Sequence, residues 1–311
     1  MSATTRKSAR IDDDGLHDVE RAFWESYGLA PREHFVDVRS TNTRLRVREI
    51  GEGHPVVWVH GTGGSGTYFA PLIGQLDGFR CLVIDRPGWG LSDPVDFTGR
   101  DYSGFVVEIL WTVLEEFGVE HAHAIGGSIG DVWVLRLAQV DSSPVDKMVW
   151  LGSTALEELG VPPQIKLLAS PLGSIIARLG EREWVMRKQL TQIGHRRSLE
   201  SGAMDQYLHW RAIEARETHF IRHERKMVQA MQNKGEWVPG VALTDSDLRD
   251  TSQPTLLIYG NQDPLGTVEL WQRKINLMPR GHLEVIEDSG HLPWYDDPHR
   301  VANLVQNFLT R

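Results

Sequence analysis

One stretch of sequence decides the fold: AHAIGGSIGDVWVLRLAQV, residues 122–140. Its first six residues are mostly small or apolar and predict a buried strand, whereas residues 132–140 repeat apolar side chains at helical spacing. Between the two lies Ser128, with Gly126 two residues before it and Gly130 two residues after it. Small residues there let a strand and a helix approach closely around a strained turn and leave the hydroxyl free at its tip. We therefore predict a strand–turn–helix unit that presents Ser128 as a nucleophile.

The hydroxyl of Ser128 needs two partners further along the chain, because a serine attacks only when a base takes its proton and a carboxylate holds that base. Asp263 follows the apolar strand predicted over residues 255–260, and His291 follows the last predicted strand. The chain order serine, aspartate, histidine is the order that accompanies a turn of this kind. The sequence therefore predicts a catalytic triad of Ser128, His291 and Asp263.

A glycine-rich loop, HGTGG at residues 60–64, follows an earlier predicted strand. Attack on a carbonyl group puts negative charge on its oxygen, and two backbone N–H groups can stabilise that charge. We predict that the amides of Thr62 and Ile129 form this oxyanion hole. We expect His60 to brace the loop rather than to transfer protons.

Short apolar runs alternate with helix-length segments along most of the chain. After an antiparallel pair over residues 34–38 and 45–50, buried strands are predicted over residues 56–60, 80–85, 122–127, 147–152, 255–260 and 283–287. Such alternation is typical of a mostly parallel sheet with helices on both faces and functional residues at the carboxyl ends of its strands. The sequence therefore predicts an α/β fold.

The interval between residues 152 and 254 is too long for a single crossover helix. Helical spacing recurs there over residues 165–179, 183–193, 204–214 and 218–231, which predicts an inserted helical cap. We accordingly divide the chain into an N-terminal tail with a short helix (1–30), an α/β core (31–154 and 240–311) and the cap (155–239).

Composition excludes several classes of protein. The 311 residues are 41% hydrophobic and 24% charged, which is typical of a globular chain. The net charge is −9 and no basic stripe interrupts it, so we expect no nucleic-acid partner. Because no signal peptide or membrane-spanning run stands out, we expect a cytoplasmic protein without a membrane partner. The sequence leaves a homo-oligomer open.

A dinucleotide-binding fold is the main competing interpretation. The glycines of residues 61–66 follow a strand and precede a helix, and Asp85 ends the next strand at the distance expected of a ribose ligand. That hypothesis leaves Ser128, Asp263 and His291 without explanation. We therefore expect no cofactor.

Metal binding is not predicted either. His219 and His223 are spaced for one helix face, but they lack the adjacent glutamate and a clear third ligand. We interpret the remaining histidines near strand starts and in the cap as packing or surface residues: His121, His123, His195 and His209.

Five short segments together resemble the signatures of the α/β-hydrolase superfamily: VWVHGTGG (57–64), DRPGWGLS (85–92), GGSIG (126–130), LIYGNQDP (257–264) and GHLPW (290–294). The resemblance covers the chain from about residue 36 to its C-terminus, apart from the cap. It implies an eight-stranded sheet whose second strand is antiparallel, with the cap inserted after the sixth strand. The chain departs from the pattern at Asp131, where relatives often carry glycine.

A serine triad of this kind predicts transfer of an acyl group to water. We expect hydrolysis of a small, hydrophobic carboxylic ester or a lactone through an acyl-enzyme on Ser128. Three alternatives stay open: hydrolysis of a carbon–carbon bond in a dienoic diketone, cofactor-free oxidation or perhydrolysis, and ligand sensing without turnover. The apolar substrate pocket is predicted to combine core and cap residues: Trp89, Trp184, Trp210, Leu265, Leu292 and Trp294.

Overall fold

The computed structural model describes residues 13–218 and 220–311. Residues 1–12, which belong to the predicted N-terminal tail, and His219, one of the two histidines considered for a metal, lie outside the described residues. The strands are β1 (Arg32–Val38), β2 (Thr43–Ile50), β3 (His54–Val59), β4 (Phe79–Ile84), β5 (Ala122–Gly127), β6 (Val145–Leu151), β7 (Gln232–Asn233), β8 (Glu236–Trp237), β9 (Thr255–Gly260) and β10 (Gly281–Ile286).

Eight of these strands form one sheet in the order β1-β2-β4-β3-β5-β6-β9-β10. Strand β2 is antiparallel to both of its neighbours, and the remaining pairs are parallel. This confirms the predicted topology. The central strand β5 is buried at every residue, as expected when both faces of a sheet are covered. Strand β10, predicted to be fully buried, lies at the edge of the sheet and is only partly buried.

Helices fill the connections between the strands. They are α1 (Asp13–Glu25), α2 (Ala70–Ile73), α3 (Tyr102–Glu116), α4 (Gly130–Ala138), α5 (Pro163–Ala169), α6 (Gly173–Gly180), α7 (Glu183–Gln192), α8 (Arg196–Glu200), α9 (Asp205–Thr218), α10 (Phe220–Ala230), α11 (Asp245–Arg249), α12 (Val268–Ile275), α13 (Pro293–Asp296) and α14 (Pro298–Thr310). Within the described ranges, none of these helices is both long and apolar enough to cross a membrane.

The insertion between β6 and β9 is helical, as predicted, and contains α5 to α10. The prediction of a single helix over residues 165–179 is wrong. It is divided into α5 and α6 around Pro171, because proline lacks an N–H group and disfavours helical backbone in the residue before it. The insertion also holds a hairpin of β7 and β8, which was not predicted. Its turn residues Lys234 and Gly235 both have positive φ angles, of 51° and 84°.

Helix α1 packs against cap helix α9. The ring centroids of Phe23 and Trp210 lie 5.4 Å apart. The hydroxyl of Ser26, just beyond the end of α1, donates a hydrogen bond of 2.9 Å to the side chain of Gln206. The N-terminal helix therefore fastens the cap to the rest of the molecule.

A buried ionic cluster joins α1 to the sheet and consists of Glu20, Arg46, Arg48 and Asp85. Arg46 donates to Glu20 at 2.8 and 2.9 Å and to Asp85 at 2.6 Å. Arg48 bridges the same two carboxylates at 2.5 and 2.9 Å. Burial raises the pKa of Asp85, but the two arginines outweigh it and hold that pKa below its ordinary value. Because both oxygens of Asp85 are engaged in this cluster, they are not available to a ribose, as the dinucleotide hypothesis requires.

Candidate active site

The turn between β5 and α4 places Ser128 in a strained conformation. Its φ angle is +55°, in the left-handed region that non-glycine residues rarely adopt. A Cβ atom at Gly126 would lie 2.5 Å from the backbone nitrogen of Asp131, and one at Gly130 would collide with the carbonyl oxygen of Val59. The two glycines of the motif are therefore required by the close approach of strand and helix.

His291 and Asp263 form a direct pair at the carboxyl ends of β10 and β9. Nδ1 of His291 lies 2.7 Å from Oδ2 of Asp263, and both residues are buried. The other carboxylate oxygen accepts a hydrogen bond of 2.9 Å from the backbone N–H of Leu265. This bond fixes the carboxylate of Asp263 through the backbone of Leu265, a residue whose predicted place in the substrate pocket stays a prediction.

The hydroxyl of Ser128 is paired with a residue that was not predicted. Its Oγ lies 3.3 Å from Oγ1 of Thr154, which follows β6. Among the described residues no hydrogen bond joins Ser128 to His291. Catalytic hydrogen bonds often shorten only once substrate is bound, so this geometry is compatible with His291 as the base. Without substrate, Thr154 holds the side chain of Ser128 through this contact.

The loop after β3 approaches Ser128 closely. A Cβ atom at Gly61 would lie 2.5 Å from Cβ of Ser128, which explains the glycine. The backbone N–H groups of Thr62 and Ile129, the predicted oxyanion hole, donate to no other described residue. Both amides are thus available to a substrate oxygen, and their role in catalysis stays a prediction.

His60 lies beneath this loop and has neither ring nitrogen free. Nε2 accepts a hydrogen bond of 2.9 Å from the backbone N–H of Arg86, and Nδ1 lies 2.7 Å from the carbonyl oxygen of Gly61. Burial, with the nearby Arg86 cation, lowers the pKa of His60 well below its ordinary value. A neutral histidine with both nitrogens bonded is suited to bracing the loop.

Cap helix α9 holds the same loop from the other side. The hydroxyl of Tyr207 donates to the carbonyl oxygen of Gly63 at 2.8 Å, and the carboxyl group of Glu214 accepts from the backbone N–H of Ser65 at 3.2 Å. Burial raises the pKa of Glu214 to about 8, with the carboxylate of Glu20 adding to the effect. Glu214 is therefore mostly protonated at pH 7. The cap thus shapes the backbone that carries the predicted oxyanion hole.

The raised pKa of Glu214 gives stability a definite dependence on pH. Between about pH 4.5 and pH 8 the unfolded chain loses this proton while the folded protein keeps it, so the free energy of unfolding falls as pH rises. The Glu214→Gln variant keeps the shape but cannot ionise. We expect it to be more stable than the parent by on the order of 2–5 kcal/mol at pH 8, with little difference at pH 4.5.

Denaturant unfolding at a series of pH values checks this expectation. Glu217→Gln, on the same helix but partly exposed, is the matched control and should follow the parent protein at every pH. A Glu214→Gln curve that runs parallel to that of the parent would show that Glu214 is ionised in the folded protein.

A second buried histidine–aspartate pair lies next to His291, the predicted base, and contacts the residues on either side of it. Nδ1 of His195 lies 2.9 Å from Oδ2 of Asp296, and Nε2 of His195 accepts a hydrogen bond of 3.0 Å from the backbone N–H of Leu292. Asp296 also accepts from the backbone N–H of Gly290 at 2.8 Å. The amides on both sides of His291 are therefore held by one polar pair. Burial raises the pKa of Asp296, but hydrogen bonds, led by that from His195, outweigh it and lower the pKa.

The cap segment between α7 and α8 completes this contact. The backbone N–H of His291 donates to the carbonyl oxygen of Ile193 at 3.0 Å. Gly194 has a φ angle of +95°, and a Cβ atom there would lie 2.6 Å from the carbonyl oxygen of Gln262 and 2.7 Å from Cα of Gly290. The loops that carry Asp263 and His291 thus lie directly against this part of the cap.

The tryptophans predicted to line an apolar pocket do not form one group. Trp89, Trp210 and Trp294 are buried, and the indole N–H of Trp294 donates to the carbonyl oxygen of Tyr68 at 3.0 Å. Trp184 lies on α7 with 64% of its surface exposed, so its predicted place in an enclosed pocket is corrected. Leu292 is buried beside the catalytic histidine. The pocket itself stays a prediction.

Asp131, the departure from the superfamily pattern, is completely buried behind the turn of Ser128. Burial raises the pKa of Asp131 well above its ordinary value, which favours the neutral carboxylic acid over the carboxylate at the start of α4.

The fold, the strained turn and the histidine–aspartate pair define an α/β hydrolase. The chain belongs to the alpha/beta hydrolase family, whose sequence model matches residues 56–304. It is an enzyme of the hydrolase class.

The chain is similar in sequence to a named hydrolase and similar in fold to two solved structures. A 2-hydroxy-6-oxononadienedioate/2-hydroxy-6-oxononatrienedioate hydrolase from a Pseudomonas species is 27% identical over 292 residues, which cover 89% of this chain and 96% of the relative. The solved structure of a 2-hydroxy-6-oxo-6-phenylhexa-2,4-dienoate hydrolase from a Rhodococcus species has a TM-score of 0.75 at 18% identity, covering 91% of this chain and 100% of that one. A thermophilic esterase from Thermogutta terrifontis has a TM-score of 0.72 at 19% identity, covering 90% and 98%. The likeness to these two structures concerns the fold alone.

Proposed function

We propose that this hydrolase cleaves a carbon–carbon bond rather than a carboxylic ester. Its substrate is a 2-hydroxy-6-oxo-dienoate, which reacts as its keto tautomer, a dienoic diketone. The similarity to a dienedioate hydrolase extends over both the core and the cap. This favours the alternative over the ester hydrolysis expected from the sequence. The observation that carries the proposal is a buried arginine beside the loop of residues 60–64, which contains the predicted oxyanion-hole donor Thr62 and is called the oxyanion loop.

That arginine is Arg211 of cap helix α9, and only 8% of it is exposed. Its guanidinium group lies 3.8 Å from the position that a Cβ atom would take at Gly63. Its Nε has no hydrogen-bond partner among the described residues. A buried, partly unpaired cation is suited to a carboxylate, and a dienoate carries one at the end opposite its reactive ketone. A neutral apolar ester would offer this cation no carboxylate.

Glu224 is a further acidic group whose titration Arg211 influences. Burial raises the pKa of Glu224 to about 7, although Arg211 and Arg86 both act to lower it. Glu214 on the same face of the loop is mostly protonated. The buried Arg211 cation beside a mostly protonated Glu214 favours an anionic substrate.

The triad supplies the same first step for a ketone as for an ester. Ser128 attacks the C6 carbonyl carbon while His291 accepts its proton and Asp263 stabilises the imidazolium. The amides of Thr62 and Ile129 hold the negative charge on the oxygen.

The second step distinguishes the two reactions. Before Ser128 attacks, the 2-hydroxy-dienoate is converted to its keto form: the C2 hydroxyl loses its proton and C5 gains one, so that C2 becomes a carbonyl carbon. The C5–C6 bond then breaks, its electrons pass through the C3–C4 double bond to the C2 carbonyl oxygen, and the imidazolium returns the proton to this oxygen of the leaving fragment. Water, activated by His291, then releases the acid from Ser128. The conjugated carboxylate end, held at Arg211, is thereby the leaving fragment of the reaction.

Turnover of 2-hydroxy-6-oxo-6-phenylhexa-2,4-dienoate, followed by the loss of its visible absorbance, tests this proposal beside a p-nitrophenyl ester series. We expect kcat/KM for the dienoate to exceed that for the esters by about a hundredfold or more. Arg211→Gln should lower kcat/KM for the dienoate by about 10- to 100-fold, the loss of one charged hydrogen bond, and leave ester turnover unchanged.

Arg216→Gln provides the matched control, because Arg216 lies on the same helix but is exposed to solvent. It should behave as the parent protein with both substrates. Preferential turnover of esters, with Arg211→Gln affecting the two substrates equally, would restore the esterase hypothesis.

A further inference from the structure

Four polar side chains meet at the end of the sheet opposite the catalytic residues. His54 begins β3, His123 lies at the start of β5, Asp146 lies at the start of β6, and His121 directly precedes β5. These three strands are neighbours, with Val56 opposite His123 in the register of β3 and β5. The contact of His121 with Asp146 brings His121 to the same cluster. The fold thus gathers three imidazoles and one carboxylate from parallel strand ends.

The potential ligand atoms of His54, His123 and Asp146 all lie within 4.8 Å of one another. Nε2 of His54 is 3.2 Å from Oδ2 of Asp146, and Nδ1 of His121 is 3.4 Å from the other carboxylate oxygen. Ligands of a tetrahedral ion at bond lengths of about 2.1 Å are separated by about 3.4 Å. The distances between the ligand atoms are therefore close to those that a tetrahedral ion requires. Small movements of the exposed side chains of His54 and His121 can bring the remaining ligand atoms to these distances.

His123 gives the second, independent observation. Only 6% of its surface is exposed, and its Nδ1 has no hydrogen-bond partner among the described residues. An unpaired buried nitrogen costs free energy that a bound cation would recover.

We propose that His54, His121, His123 and Asp146 form a binding site for a divalent transition-metal ion of the zinc type. Neutral imidazoles with a single carboxylate are the ligand set that such an ion accepts, whereas calcium and magnesium prefer oxygen ligands alone. The bound ion joins the starts of three central strands and lies far from the triad in the sheet. Its role is to stabilise the fold, and it is independent of the reaction catalysed.

The competing explanation is a pair of surface contacts from His54 and His121 to Asp146, with His123 merely packed. Isothermal titration of zinc chloride into chelator-treated full-length protein distinguishes the two. We expect one ion per chain with micromolar or tighter affinity, a visible absorption band of four-coordinate cobalt when Co²⁺ replaces zinc, and a higher Tm with zinc. His123→Gln, His54→Gln and Asp146→Asn should each weaken zinc binding at least about tenfold.

His54 and Asp146 are partly exposed, so their variants keep the test valid even if His123→Gln fails to fold. His282→Gln is the control, because His282 forms an exposed pair with Glu284 at 2.9 Å and should leave zinc affinity unchanged. Absence of saturable binding, or affinity equal in the parent, His54→Gln and Asp146→Asn proteins, would overturn the proposal.

Discussion

The Ser128→Ala variant is expected to lower kcat by about four to six orders of magnitude on whichever substrate the parent protein turns over. Removing the nucleophile leaves only binding and oxyanion stabilisation, which account for a small part of the rate in enzymes of this kind. The strained turn and the fold should both persist in the variant, because alanine keeps the Cβ atom of serine and the close approach of β5 and α4 still imposes the positive φ angle. Steady-state kinetics with a check of Tm measures both effects.

Thr154→Val is the matched control for this experiment. It removes the hydroxyl that contacts Ser128 at 3.3 Å but keeps the shape of the side chain. Because Thr154 only holds the serine before substrate binds, we expect a loss far smaller than that of Ser128→Ala. If Ser128→Ala retained activity within tenfold of the parent, Ser128 would not be the nucleophile.

The second large effect concerns stability and the buried ionic cluster. Glu20→Gln removes the carboxylate that contacts both Arg46 and Arg48, and leaves the two arginines with Asp85 and with the partly exposed Glu33, which reaches only Arg46. Burial raises the pKa of Glu20, but the two arginines outweigh it and keep the group ionised. Breaking a buried pair in this way costs about 3–5 kcal/mol.

Thermal unfolding followed by circular dichroism should show this loss as a fall in Tm of about 10 °C. Glu25→Gln on the same helix is the control, since Glu25 is exposed and should leave Tm within about 1 °C of the parent. Equal melting temperatures for the two variants would mean that the cluster contributes nothing to stability.

Local signals explain what the sequence could predict. Strands β5 and β9 match their predicted bounds because each is a short apolar run ended by glycine. Five consecutive residues encode the turn at Ser128, and Asp263 and His291 each lie shortly after the end of a strand. These features depend on neighbours in the chain, so they are visible without the fold.

Contacts between distant residues explain what could not be predicted. His195 meets Asp296 across about a hundred residues, and Glu214 reaches Ser65 over a longer separation still. No local pattern marks such pairs, and His195 was accordingly interpreted as a packing or surface residue. The substrate class has the same limit, because one serine triad serves esters and ketones alike.

The bonds between the segment of residues 193–195 and the loop of His291 restrict how substrate can enter. If the whole cap rotated away from the sheet, the hydrogen bonds to the amides of residues 290–292 would break and His291, the proposed base, would lose its position. Each closure of the cap would then have to re-form these hydrogen bonds before the next turnover. Entry must instead use a smaller opening in the rest of the cap, which leaves the part beside His291 in place as a fixed wall.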